Sequence, residues 1–177
     1  MATTKWTIDT THSEVQFKVK HMMISTVTGY FSQFDSTVET EGDDFTTAKV
    51  QFTADLNSIS TNNEQREAHL KTSDFFDAEN HPQIRFEGSR LEKKDDEHFI
   101  LHGDLTIRGI TKPMQLDVTY GGVIEDPWGN TRAGFTVEGK IKRKEFGLHW
   151  DNVTEAGGIV VSDDVRMLVN AEFVKQK

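Results

Sequence analysis

The chain reads as an all-β protein: eight antiparallel strands closing into a barrel, with a short helical insert near the barrel mouth. Three observations predict this. Apolar and polar residues alternate with period two through segment after segment, the mark of strands with one dry face. The alternation stops for one 26-residue stretch, Asn57 to Pro82, which holds the only helical signal, STNNEQREAHLKTSDFFD from Ser60 to Asp77. Short turn signals, such as Asp126-Pro127-Trp128-Gly129-Asn130, separate most of the strands, as hairpins require.

The elements follow in order. Val15, Phe17 and Val19 alternate with Glu14, Gln16, Lys18 and Lys20. Val27 to Thr40 is strand-like but less regular, and Gly29 with Tyr30, Phe31 and Phe34 predicts a bulge or bend there. Ala48, Val50, Phe52, Ala54 and Leu56 share the next apolar face. After the insert come Ile84 and Phe86, a charged turn at Lys93 to Glu97, then Phe99, Leu101, Leu105 and Ile107. Arg108-Gly109 turns the chain into Met114, Leu116, Val118 and Tyr120. Ala133, Phe135, Val137 and Ile141 form the seventh face, and Val165, Met167, Val169, Ala171 and Phe173 the eighth. Eight such strands can form a sandwich or a barrel, and closure removes the exposed edges. Gly103 and Gly139 fall on inward positions, where a glycine either leaves space or admits a close approach of backbone.

Within the insert, Thr61-x-x-Glu64 fits a capping box and Glu67 with Lys71 fits an i,i+4 ion pair. Ala68 and Leu70 are the helix's apolar anchors, with Phe75 and Phe76 just beyond. A helix this short is marginal alone. It has to be pinned to the barrel, and Leu70, Phe75 and Phe76 are the residues placed to do so.

Composition sets the outer bounds. The 177 residues, 1–177, read as a single domain, and the net charge of −9 argues against nucleic acid, whose phosphates would be repelled. There is no cysteine, hence no disulfide and no thiolate metal site. No stretch of about 18 apolar residues occurs, so stable membrane insertion through a helix is not expected. The opening MATTKWTIDT has no signal-like apolar run, which predicts a cytoplasmic protein.

An eight-stranded barrel is wide enough either to fill with side chains or to hold one small ligand. The candidate binding residues on strands are Phe17, Val19, His21, Phe34, Phe52 and Phe86, continuing with Leu101, Leu105 and Phe135. From the insert come Arg66, His69, Leu70, Phe75 and Phe76, and from the stretch after the seventh strand Arg143 and Phe146. Arg66 and His69 lie three apart on one helical face, placed to meet a head group or to tie down loop carbonyls. Arg143 sits on the inward parity, which calls for a partner: an internal carboxylate or a ligand head group. Of the seven histidines (His12, His21, His69, His81, His98, His102 and His149) none forms a convincing metal-ligand spacing, so no metal site is expected. No serine sits in a nucleophile elbow, and no carboxylate pair sits in an apolar setting that would raise a pKa. The pattern therefore favours binding over catalysis. Two other readings stay open: a lipid-modifying enzyme at the mouth with His69 or His21 as base, and a solid-core stress-response module with another amphiphile, such as a fatty acid, as ligand.

Several segments together resemble the YceI-like proteins, lipocalin-like barrels associated with polyisoprenoid binding. They are WTIDTTHSEVQFKVKHM at the front, SISTNNEQREAHLKTSDFFD in the insert and HPQIRFEG after it, with HGDLTIRGITKP from His102 and AGFTVEGKIKRKEFGL from Ala133. The resemblance runs almost end to end. It implies an extended lipocalin-like barrel, a helix near its opening and an apolar tunnel for a long-chain apolar small molecule. Isoprenoid quinones, polyprenyl phosphates and fatty-acid-like chains all suit such a tunnel; the expected cargo is an isoprenoid quinone or polyprenyl chain, for transport, storage or as a sink, with no cofactor required beyond such a bound lipid. A homodimer is compatible with it. Given the negative net charge, the preferred cargo is expected to be neutral or weakly polar, with Arg66 and Arg143 mainly structural.

Overall fold

The computed structural model describes residues 2–21, 24–148 and 161–177, with Val161 described by its backbone alone. Eleven strand segments form one continuous antiparallel sheet: β1 (Thr3–Ile8), β2 (Glu14–His21), β3 (Ser25–Phe31), β4 (Phe34–Glu41), β5 (Asp44–Asp55), β6 (Ile59–Ser60), β7 (Gln83–Lys93), β8 (His98–Ile107), β9 (Ile110–Glu125), β10 (Thr131–Lys142) and β11 (Val161–Lys175). Their order is β1-β4-β5-β7-β8-β9-β10-β11-β2-β3-β6, and the additional β1–β11 pairing closes the ring.

The eleven segments make eight staves. β1 and β2 run end to end along β11: Ile8 pairs with Phe173, and Glu14 with Asn170. A 3₁₀ turn at Thr10–His12, capped by the Asp9 carboxylate, kinks this first stave. β3 and β4 form the second stave, broken at Ser32-Gln33, with β3 against β2 and β4 against β1. The irregularity expected between Val27 and Thr40 is this break. β5 and β6 form the third, since β5 pairs with β4 and β6 with β3. Each stave is therefore antiparallel to the next one in sequence, an up-and-down barrel with no free edge along the main ring.

The first stave begins earlier than the alternation from Val15 suggests. Trp6 and Ile8 already point inward, 1% and 9% exposed, but two apolar residues are too few to register as a pattern. Phe45 also faces the interior, although its parity is opposite to Ala48, Val50 and Phe52. The cause is a register shift: Glu39 pairs with Lys49, whereas Glu41 pairs with Asp44. An irregularity in the ladder moves side chains from one face to the other, which periodicity alone does not disclose.

The two inward glycines differ. A Cβ on Gly103 would strike the Glu87 carbonyl and the Phe86 ring, so that glycine permits a close approach of backbone. A Cβ on Gly139 would strike the Leu116 side chain, so there the missing atom is space that a neighbour uses.

The insert is anchored at its base, where Leu56 N–H donates to the Pro82 carbonyl at 2.9 Å. Its helix, α1 (Glu64–Leu70), is shorter than the helical signal. Asn62 takes a left-handed φ of 61° and delays the helix start, so the N-cap is Asn63, whose side chain accepts from Arg66 N–H. The expected Thr61–Glu64 box is thus replaced. Glu67 reaches back instead, accepting from the Thr61 and Asn63 amides at 2.9 and 3.0 Å. Those main-chain donors hold the Glu67 carboxyl below its ordinary range, and Lys71 adds only a weaker through-space pull. Ala68, an expected anchor, is exposed.

Candidate functional site

The inward faces do not fill the barrel. They enclose a cavity of about 220 Å³ running from the insert down to a group of aromatic rings, a void well beyond the small gaps of a packed core. Each strand from β8 to β11 contributes alternate residues, so the period-two pattern becomes the wall, and β7 does the same with a change of parity between Gly88 and Arg90. Ile84, Phe86 and Leu91 come from β7, Leu101, Leu105 and Ile107 from β8, and Met114, Leu116 and Val118 from β9. Of the lining residues only Gln16, Ser36 and Arg143 carry polar side chains. Ser36 spends its hydroxyl on the Gln51 carbonyl at 2.7 Å.

One end, the floor, is aromatic. Phe45 lies 5.2 Å from Trp6, 5.7 Å from Tyr120 and 5.3 Å edge-on to Phe135, by ring centroids. Phe135 also meets Tyr120 at 5.4 Å and Phe173 at 6.0 Å, and Phe99 stands at 6.3 Å from Tyr120. Burial pushes the Tyr120 phenol up from its ordinary pKa. The Trp6 indole Nε1 is buried with no acceptor among the described residues, so polar satisfaction has been given up for aromatic packing.

Behind the floor lies an ionic cluster. Arg132 donates to Asp126 at 2.7 Å, to Asp9 at 2.8 Å and to Glu172 at 3.0 Å, tying the β9–β10 turn to β1 and β11. Asp126 also accepts from the Trp128 and Asn130 amides, both at 2.9 Å. Its carboxyl is lowered to about 2, chiefly by Arg132. Asp9 is held well below the carboxylate range by the Thr11 hydroxyl, with Arg132 and His12 adding to it. Asp9, His12 and Glu172 have ligand atoms within 4.8 Å of one another, a grouping the sequence spacing did not suggest. Arg132 already supplies the positive charge between the carboxylates, so the grouping is an ion-pair cluster.

The other end is closed by the insert. Leu70, Phe75 and Phe76 reach the cavity from α1 and the turns after it. Phe76 N–H donates to the Leu70 carbonyl at 3.0 Å, folding the aromatic pair back toward the barrel. Two arginines hold this end together, one within the barrel rim and one reaching the insert. Arg143, buried in the 3₁₀ turn Arg143–Phe146, donates to the Ser162 carbonyl at 2.8 Å and the Leu148 carbonyl at 2.6 Å. Both of these partners are main-chain carbonyls, and Arg143 makes a further interaction beside them. Arg108 donates to the Phe75 carbonyl at 2.8 Å and the Gly147 carbonyl at 3.1 Å. It thereby joins the β8–β9 turn to the insert and the 3₁₀ turn.

The sequence-derived candidates divide accordingly. Phe17, Val19, Phe52, Leu70, Phe75, Phe76, Phe86, Leu101, Leu105, Phe135 and Arg143 all line the cavity. His21, Phe34, Arg66, His69 and Phe146 do not. His21 ends β2 against Ser25, and Phe34 packs half-buried between the main core and the smaller core beneath the insert. Phe146 is buried in the core wall outside the cavity. Arg66 donates to the Thr61 hydroxyl and carbonyl, both at 3.0 Å, within the insert. His69 pairs with Asp74 at 2.9 Å and sits edge-on to Phe75 at 5.2 Å. Both side chains are engaged within the insert, and which side chains of one short helix reach the lumen is not settled by its periodicity. His149 lies outside the described residues. Arg108 and Phe45, absent from the candidates, are structural necessities of cap and floor.

Fold and cavity together define a lipocalin-like barrel built around an apolar binding space. The YceI-like domain family matches residues 6–173, and the chain belongs to that family. It is 40% identical to a UPF0312 protein of Staphylococcus aureus strain N315, over 96% of this chain and 97% of that one. It is 37% identical to a UPF0312 protein of Pectobacterium atrosepticum, over 94% and 83%. Among solved structures, the Campylobacter jejuni YCEI protein superposes with a TM-score of 0.77 at 32% identity, covering 90% of this chain and 91% of that one. BcnA of Burkholderia cenocepacia gives a TM-score of 0.81 at 22% identity over 93% and 98%. A polyisoprenoid binding domain from Saccharophagus degradans gives 0.70 at 16% over 97% and 98%; these last two show likeness of fold. Among the described residues no helix is long and apolar enough to cross a membrane.

Proposed function

We propose that this protein binds a long, neutral, isoprenoid-type lipid, a quinone or a polyprenyl chain, tail-first in the barrel cavity. It acts as a carrier, reservoir or sink and not as an enzyme. The observation that carries the reading is the cavity itself: about 220 Å³ of interior whose wall is apolar at all but three side chains. Membership of the YceI-like family and the fold shared with a polyisoprenoid binding domain support the same reading.

The driving force is transfer of tail from water to a dry lumen, about 0.8 kcal/mol per CH₂ and so roughly 4 kcal/mol per isoprene unit. Noncovalent affinity levels off near about 20 kcal/mol, so only about the first five units can add to it. Two features favour a neutral head. A net charge of −9 repels anions at a distance. Arg66 and Arg108 already donate to loop oxygens, and Arg143 to two carbonyls. Neither His21 nor His69, the candidate bases of an enzymatic alternative, lines the cavity.

Protein purified natively from its own host and extracted with organic solvent should release a long apolar molecule, identified by mass spectrometry. A quinone should bind at least as tightly as a polyprenyl phosphate of equal tail length, at low salt as at high. A much tighter phosphate at low salt, lost in Arg143→Ala or Arg66→Ala without unfolding, would overturn the neutral-head assignment.

A further inference from the structure

The floor of the cavity is built to be rigid and is made of removable parts, which bears on what fits above it. Of the floor rings, Phe45, Phe135 and Phe173 line the cavity, and Phe45 and Phe135 also meet the rings of Trp6 and Tyr120 behind. Phe45 enters out of parity, through the register shift between Glu39 and Glu41, and lies across the end of the lumen against Trp6. Trp6 is 1% exposed, so nothing behind Phe45 is free to retreat. Beneath these rings, Arg132 binds β1, β11 and the β9–β10 turn into one frame. The cap, by contrast, is a turn-rich insert whose rim beside Phe75 is tied to the neighbouring turns by two hydrogen bonds from Arg108.

We infer that Phe45, backed by Phe135, is the end-stop that sets how much of a tail the barrel can bury. The inference rests on the proposed binding of a long apolar tail. From Phe135 to Arg143 along the wall, at about 3.3 Å per residue, the strand path is roughly 26 Å. A strand tilt of about 40° reduces this to roughly 20 Å along the barrel axis. Three covalent bonds span about 3.8 Å, so the four bonds of an isoprene unit span roughly 5 Å. By length the lumen therefore admits about four units, and its volume of about 220 Å³ has to widen to hold them, since a cavity of about 150 Å³ takes one benzene; the tail unit that reaches the floor meets the Phe45 ring. Removing that ring frees about one more unit of depth, ending at Trp6.

The test uses neutral prenyl alcohols of two to seven units, measured by displacement of a fluorescent apolar probe from the full chain. For the wild type, affinity should rise about tenfold or more per added unit and then level off. In Phe45→Ala the plateau should begin one unit later, with tails below the wild-type plateau bound as before. Phe45→Leu, which keeps more of the packing, should shift it by less than a unit and covers the case where the alanine variant does not fold. Phe75→Ala at the cap should leave the plateau length unchanged. A wild type that binds with a plateau which both Phe45 variants leave in place, while their far-ultraviolet spectra stay native, overturns the inference alone. A wild type that takes up no tail of any length overturns the inference together with the reading beneath it.

Discussion

At the floor, six aromatic rings carried by six different strand segments meet with centroids 5.2 to 6.3 Å apart, and Arg132 locks the segments behind them. At the cap, Leu70, Phe75 and Phe76 come from one turn-rich insert, fastened to the neighbouring turns by Arg108. Both ends present aromatic surface to the same cavity. They differ in what each ring is attached to. Five of the floor rings belong to strand positions paired in the ladder, so they cannot move without the sheet; Phe45, in the irregularity between β4 and β5, is held by the rings packed around it. A cap ring belongs to a segment that can open locally while the barrel stays folded. Rigidity in this molecule thus follows from sheet membership, and aromatic content alone does not confer it.

The comparison breaks most readily on stability. Trp6→Ala should destabilise the protein by about 3–5 kcal/mol, the usual cost of deleting a buried tryptophan. Phe75→Ala should cost about half of that, because the insert can shift to relieve the loss. Equal losses in chemical denaturation would mean that the cap is as much a part of the cooperative core as the floor.

A mid-lumen change sharpens it. Gly139→Val places atoms where the Leu116 side chain lies, with the Met167 and Met114 methyls also near. Overpacking of this kind costs about 1–3 kcal/mol. It should also weaken binding of every tail that reaches past Gly139, readable by probe displacement, while tails too short to reach it bind normally.

A smaller effect is expected from Arg108→Asn. Arg108 occupies a left-handed position, φ 52°, ahead of Gly109 in the β8–β9 turn, a place that suits asparagine better than arginine. The turn should improve while the cap loses its bonds to the Phe75 and Gly147 carbonyls. Net stability should change by about 1 kcal/mol or less, while ligand release measured by stopped-flow should quicken several-fold. Unchanged release would show that Arg108 is not what holds the cap.

The smallest effect is on acid stability at the floor. Asp126, lowered to about 2, and Asp9, lower still, are carboxyls whose folded pKa lies below the unfolded value near 4. Their contribution is complete above about pH 4 and is lost as pH falls through the folded values. Melting temperature should therefore decline between about pH 4 and 2, and the decline should be shallower in Arg132→Met. An identical slope in the variant would assign the acid sensitivity elsewhere.

Much of the wall was legible before any coordinates. Phe86, Leu101, Leu105, Phe135 and their neighbours line the cavity because strand parity is a local property, fixed by a two-residue period wherever the ladder is regular. Leu70, Phe75 and Phe76 were legible because a short polar helix has few apolar residues to bury. Arg66 ties the Thr61 carbonyl as its structural reading expects, while His69 stands beside the cavity and not on its wall, because a single helical turn does not reveal which of its side chains reach the lumen. The cap's N-terminus was misread by two residues because the left-handed turn at Asn62 depends on the Arg66–Thr61 and Glu67–Thr61 bonds around it.

The amino-acid sequence by itself determined most strand faces, the number of staves, the position of the insert and the apolar character of the interior, since all four follow from local periodicity and composition. Only the tertiary structure decided that the interior is hollow, that Phe45 crosses the lumen, and that Arg108 and Arg132 fasten opposite ends. Each of these depends on register: a shift between β4 and β5 turns Phe45 inward, and strand closure brings Arg132 to Asp9 across 123 residues. Register is set by pairing between distant segments, and no local pattern carries that information.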